Sequence, residues 1–161
     1  MGTQRPKAKT TSRRTSIREA TLDDAGPIAN LVTALGYPTN AGDMRERLEG
    51  LLADPLYVTF VAENGGEIAG VAGACMARFY EKNGMYARLV ALVVSEDSHG
   101  RGVGASLVRA VERWANGNGA VEIFLNSGVQ REGARRFYEK LGYRVTGVRF
   151  SKELAAGEPP R

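Results

Sequence analysis

The sequence predicts one mixed α/β domain, and three observations carry that expectation. Apolar spacing alternates between helical and strand periods along the chain. A tight hairpin signal stands at Asn64-Gly65-Gly66, and a strand, a glycine turn, a helix and a further strand follow one another after it, as in a βαβ unit. The 161 residues suffice for a single core. With 43% apolar and 25% charged residues, the chain has the balance of an ordinary globular protein, which excludes wholesale disorder. No apolar run approaches the roughly 18 residues of a membrane span. The first thirty residues hold no apolar stretch of secretory type, so a cytoplasmic location is expected. The single cysteine, Cys75, and single histidine, His99, exclude an internal disulfide and a Cys/His metal cluster, and no metal site is expected.

Taken in order, residues 1–14 carry Arg5, Lys7, Lys9, Arg13 and Arg14 with no acid, although the whole chain has a net charge of only +4. So polar a stretch cannot order itself by burial, and a disordered basic arm is expected, with at most a nonspecific pull on nucleic acid. A second flexible tail is expected over 155–161, which leaves 15–154 as the folded domain. Residues 16–20 form a short strand candidate. Thr21-Leu22-Asp23-Asp24 reads as a helix start, with a capping hydroxyl and acids in the first turn, and Gly36 closes that helix. Its inner stripe is Ile28, Leu31, Val32 and Leu35. A second helix over 41–53 offers Met44, Leu48, Leu51 and Leu52. Strands follow over 57–61 and 68–80, joined through Gly65-Gly66. The small residues Ala69, Gly70, Ala72, Gly73 and Ala74 in the second of them point to close approach by a helix or ligand. Cys75 reads as a small buried hydrophobe, with nothing beside it to activate the thiol.

Residues 85–94 end in Leu92-Val93-Val94, a run suited to a strand covered on both faces. Then comes His99-Gly100-Arg101-Gly102-Val103-Gly104-Ala105 and a helix over 105–116, with Leu107, Val108, Val111, Trp114 and Ala115 on one face. Alternate glycines free the backbone to take conformations closed to other residues and strip side chains from its surface. The amides from Val103 to Ser106 open the helix, whose positive end attracts phosphate, and Arg101 can add a charged donor. A phosphate-bearing ligand is therefore expected. A Walker loop is excluded, since no Gly-Lys-Ser/Thr follows. A dinucleotide fingerprint fits loosely, but five residues separate Val94 from Gly100, and Glu122 opens its strand instead of closing it. A strand over 120–126, a helix over 132–141 closed by Gly142, and a pair of strand segments over 143–154 around Gly147 complete the order.

These motifs resemble the GNAT superfamily of acetyl-CoA-dependent N-acetyltransferases. Leu92-Val93-Val94 followed by His99 to Ala105 is similar to the family's pyrophosphate motif, Arg/Gln-x-x-Gly-x-Gly/Ala after a Leu-x-Val strand end. Ala134-Arg135-Arg136-Phe137-Tyr138-Glu139-Lys140-Leu141-Gly142-Tyr143 is similar to its later helix. The resemblance covers 15–154 and implies a mixed sheet of six to seven strands with about four helices, splayed in a V between the strands at 85–94 and 120–126. It implies that acetyl-CoA is the donor. The main chain of Leu92, Val93 and Val94 would hold the pantetheine arm, and His99, Gly100, Arg101, Gly102, Val103, Gly104 and Ala105 the pyrophosphate. An amine would attack the thioester directly, a main-chain amide near Val94 would polarise its oxygen, and Tyr138 would protonate the departing thiolate. A homodimer fits the family. Three departures stand out: His99 replaces the opening Arg or Gln, Arg131 stands where many members carry Asn, and Arg88 occupies the position of the general-base Glu of the histone-modifying branch. No acid lies between Met85 and Val94, so the sequence names no base and no acceptor. The competing readings are a dinucleotide-dependent oxidoreductase and a nonenzymatic CoA-binding regulator.

Overall fold

The computed structural model describes residues 15–127 and 132–154. The expected arm, the expected tail and Arg131 lie outside the described residues. The chain divides into two compact units, the first ending at Leu125 and the second beginning at Asn126.

The first unit is a five-stranded sheet in the order β1 (Thr15–Glu19), β2 (Tyr57–Asn64), β3 (Glu67–Arg78), β4 (Met85–Val94) and β5 (Ala120–Leu125). The first four strands pair antiparallel, and β5 joins β4 in parallel, as a helical crossover requires. Gly65 and Gly66, at φ 63° and 88°, make the β2–β3 turn. Helices α1 (Ala25–Ala34) and α2 (Ala41–Ala53) lie over one face. Asp24 closes a capping box with Thr21 around the 3-10 turn that leads into α1, its carboxylate accepting the Thr21 amide at 2.8 Å, and the Asn40 side chain caps α2 by accepting the Asp43 amide at 2.8 Å. Ile28, Leu31, Met44 and Leu48 bury against Val61, Val71 and Val93 on that face, while Leu52 faces outward. Helix α3 (Val103–Gly117) covers the other face with Val103, Leu107, Val108 and Val111.

Of the small residues of β3, Gly70 serves that helix. A Cβ on Gly70 would stand 3.0 Å from Leu107 Cδ1, 3.0 Å from the Val93 carbonyl and 3.3 Å from Val103 Cγ1. The first turn of α3 therefore sits almost on the backbone of β3. Cys75 is half-buried, not enclosed.

The second unit contains α4 (Glu132–Lys140), closed by Gly142 at φ 94°, and residues 143–154, which carry no strand. This corrects the expected pair of strand segments and leaves five strands where six to seven were expected. Val148 and Phe150 alternate as a strand would, and Val145 and Leu154 flank them, yet all four are exposed. Alternation supplies a strand's pattern but not its partner, and without inter-strand hydrogen bonds the segment has no ladder to join.

Candidate active site

The candidate site is built where β4 and β5 part. The parallel pairing runs from Met85↔Ala120 to Leu89↔Leu125 and stops. Beyond it, residues Ala91 to Val94 pair with β3 on one side only, leaving the other edge of β4 unpaired among the described residues. This is the opening of the expected V. It also corrects the reading of Leu92-Val93-Val94 as covered on both faces: Val93 is buried, but Leu92 and Val94 are only half-buried.

A bulge lies at the same place. Gly73 faces Ala91 while Ala74 faces Leu89, so Val90 has no partner on β3. One extra residue reverses the side-chain phase of a strand. Below the bulge Ala87 joins the α3 side with Met76, whereas above it Val93 joins the α1–α2 side with Val71. Sequence reasoning missed this feature because Leu89-Val90-Ala91-Leu92-Val93 is uniformly apolar, with no polar beat to betray a change of phase.

After Val94 the chain takes one 3-10 turn, Glu96–Ser98, with Ser98 buried. The Ser95 amide donates to the Ala69 carbonyl at 2.9 Å, and His99 Nε2 donates to the Val94 carbonyl at 2.9 Å. His99 thus fastens the loop to the strand it has just left, which commits one ring nitrogen. Gly100 and Gly102 take φ 73° and 79°, and a Cβ on either would meet nothing within 4 Å. Glycine is needed here for its backbone conformation and not for space. Gly102 is the N-cap of α3, and its carbonyl accepts the Ser106 amide at 3.0 Å. The group of free amides is therefore Val103, Gly104 and Ala105, one fewer than the sequence suggested. They open a helix of 15 residues, so the positive end of its dipole adds to their pull on an anion. Arg101 is exposed beside them. These features fit a diphosphate: unpaired donors, no side chain over them, and an unpaired strand edge leading away that can pair with an amide-bearing arm.

Tyr138 lies in the second unit, on α4, half-buried, with ring centroids 5.0 Å from Phe137 and 5.8 Å from Tyr143. Its carbonyl accepts the amides of Leu141 and Tyr143, both at 3.0 Å, which closes the helix. Glu81, Glu96 and Asp97, the acids that flank β4 in sequence, are all exposed. Among the described residues no cluster of His, Cys, Asp and Glu has the form of a metal site, and no helix is long and apolar enough to cross a membrane.

Comparison with known proteins agrees with this geometry. The chain is 32% identical over 108 residues to N-acetyltransferase 8 of Rattus norvegicus, covering 67% of this chain and 49% of that protein. It thus spans about half the length of the curated relatives it matches first. Aminoalkylphosphonate N-acetyltransferase of Salmonella typhimurium is 28% identical over 139 residues, which is 86% of this chain and 90% of that one. A solved GNAT family acetyltransferase of Staphylococcus aureus superposes with a TM-score of 0.75 at 29% identity, covering 87% of this chain and 98% of the other. The aminoglycoside N-acetyltransferase AAC(6')-Iy, solved with CoA, superposes with a TM-score of 0.81 at 20% identity over 91% of this chain and 99% of its own, which shows the shared fold. The profile of the acetyltransferase (GNAT) family matches residues 27–143, spanning the opened strand, the glycine turn and α4, and the chain belongs to that family.

Proposed function

We propose that this protein is an acetyl-CoA-dependent N-acetyltransferase whose acceptor is a small primary amine. The observation that carries the reading is the set of three free amides at the start of α3, placed directly after the unpaired edge of β4. The relative matched over nearly its whole length acetylates an aminoalkylphosphonate by name, which favours a small molecule over a protein acceptor.

Each residue then has a task. The amides of Val103, Gly104 and Ala105, with Arg101, bind the diphosphate. The main chain of Leu92 to Val94 pairs with the pantetheine arm, and His99 holds the loop in place. Bound acetyl-CoA supplies an acyl carbon open to attack. The amine forms its bond to that carbon as the carbon–sulfur bond breaks, the Tyr138 hydroxyl gives its proton to the leaving thiolate, and the proton shed by the acylated nitrogen passes to solvent, from which the phenol is restored. Holding both reactants in one site replaces a covalent enzyme intermediate. A dinucleotide-dependent oxidoreductase is not favoured, since family membership and the spacing of Val94 from Gly100 both count against it.

Two measurements test this. Calorimetry is expected to find CoA binding and no saturable binding of a nicotinamide dinucleotide. Tyr138→Phe is expected to lower kcat about 100-fold while the acetyl-CoA dissociation constant stays within about twofold. Wild-type turnover in that variant removes Tyr138 from the chemistry.

A further inference from the structure

The sheet face opposite α3 holds a cation that the proposed reaction does not use. Arg88 stands on β4 directly opposite Cys75 of β3 and Phe124 of β5, at the last stretch of the parallel pairing. Paired residues share a face, so Arg88 points away from α3. Val90 and Ala91 lie on the same side: the nearest atoms to a Cβ on Gly73 are Ala91 Cβ at 3.7 Å and Val90 Cγ2 at 3.8 Å. All three are exposed, Val90 at 53%. On that face α1 and α2 cover Val71 and Val93, and Val90 and Ala91 lie outside that packed cluster.

Rings stand at the lower end of this face. Phe79, Tyr86 and Phe124 form one cluster, with centroids 5.0 Å apart for Phe79–Tyr86, 5.2 Å for Tyr86–Phe124 and 6.3 Å for Phe79–Phe124. The lysine beside these rings is already matched. Lys82 pairs with Glu122, and its ammonium sits 4.2 Å from the centre of the Phe79 ring. Arg88 makes no hydrogen bond or ion pair with any described residue.

Resting on the acetyltransferase reading, we infer that the acceptor is an amine carrying an anionic group, carboxylate or phosphonate, and that Arg88 binds that group and sets acceptor specificity. The chemistry is that of a fork. A guanidinium offers two parallel donors to a planar carboxylate or to two phosphonate oxygens, and beside an apolar floor and an aromatic wall such a pair is less screened than in open water. The position fits a small molecule. Two residues of strand separate Arg88 from the bulge at Val90, about 7 Å, so an anion at Arg88 and an amine at the opened edge of β4 belong to one short molecule.

The test uses the full chain with saturating acetyl-CoA and acceptors in matched pairs: 2-aminoethylphosphonate and β-alanine against propylamine and ethanolamine, with a neutral peptide amide as a protein-like arm. The anionic members are expected to exceed the neutral ones in kcat/KM by about 30-fold or more, because leaving Arg88 unpaired penalises the neutral analogue. Comparing phosphonate with carboxylate then separates the two sources of the charge. Arg88→Gln is expected to bring anionic and neutral acceptors within about threefold of each other, chiefly through KM, with Arg88→Lys between. Thermal melting and a CoA titration on each variant check folding and the donor site. Equal or better use of neutral or cationic amines by the wild-type chain, or an unchanged preference in Arg88→Gln, overturns the inference. Failure of the acetyltransferase reading looks different: no CoA binding, and no thiol release with any amine.

Discussion

At Asp24 the carboxylate accepts Arg18 Nη1 and Nη2, both at 2.8 Å, and the amide of Thr21, while Arg18 Nε donates to Glu63 at 2.8 Å. One buried acid thereby ties β1, the start of α1 and the end of β2. The Arg18 guanidinium beside it holds the Asp24 carboxyl below the usual carboxylate range, and hydrogen bonds to Asp24 and Glu63 raise Arg18 further above its own. A lowered acid pKa contributes stability that is complete above the unfolded value of about 3.9 and is lost as pH falls through the folded value. Asp24→Asn is therefore expected to cost about 1–2 kcal/mol near neutrality, a modest figure because Arg18 is partly exposed, and to flatten the loss of stability below about pH 4. Denaturant melts at pH 3 and pH 7 check both. Gly102 poses a different residue-scale problem, since the site needs its positive φ. Gly102→Ala is expected to cost about 1–2 kcal/mol of strain and to weaken CoA binding, because the free amides shift with the cap. Calorimetry with CoA reads the second effect; unchanged affinity means that the amides do not hold the diphosphate.

Among the elements, α3 and β4 make the site together. The helix reaches the sheet only because Gly70 has no side chain, and its first turn is the turn that presents the amides. Gly70→Ala places a methyl 3.0 Å from a backbone carbonyl that cannot rotate away. The expected loss is about 1–3 kcal/mol, together with a weaker hold on CoA, which a thermal melt with and without CoA separates from stability alone. Strand β4 shows how far a strand can be read from its residues. Its ends match the expectation at both Met85 and Val94, because β-branched and apolar residues fall between turn signals. The bulge at Val90 leaves no such mark, since it depends on how many residues β3 sets opposite. The same division holds for α2: Met44 and Leu48 are buried as its period requires, yet Leu52, on the same sequence stripe, is exposed.

For the molecule as a whole, the proposed direct transfer within a ternary complex makes a kinetic prediction. Initial-rate plots with varied amine and acetyl-CoA are expected to intersect, and parallel lines, the mark of an acetylated enzyme, overturn the mechanism. Much of this protein was legible in its amino acids. Helical and strand periods, glycines at turns and a glycine triplet before a helix are local patterns, and local patterns act through backbone conformations that each residue either permits or forbids. They determined the βαβ order, the hairpin, the ends of most elements and the glycine turn before α3. What tertiary structure alone decided is relational: where β5 leaves β4, which residue of β4 bulges, that His99 fastens its loop to Val94, and that Arg88 has no ionic partner among the described residues while Lys82 is matched. Such facts depend on residues far apart in the chain meeting or failing to meet, and a sequence read one window at a time carries no record of those encounters.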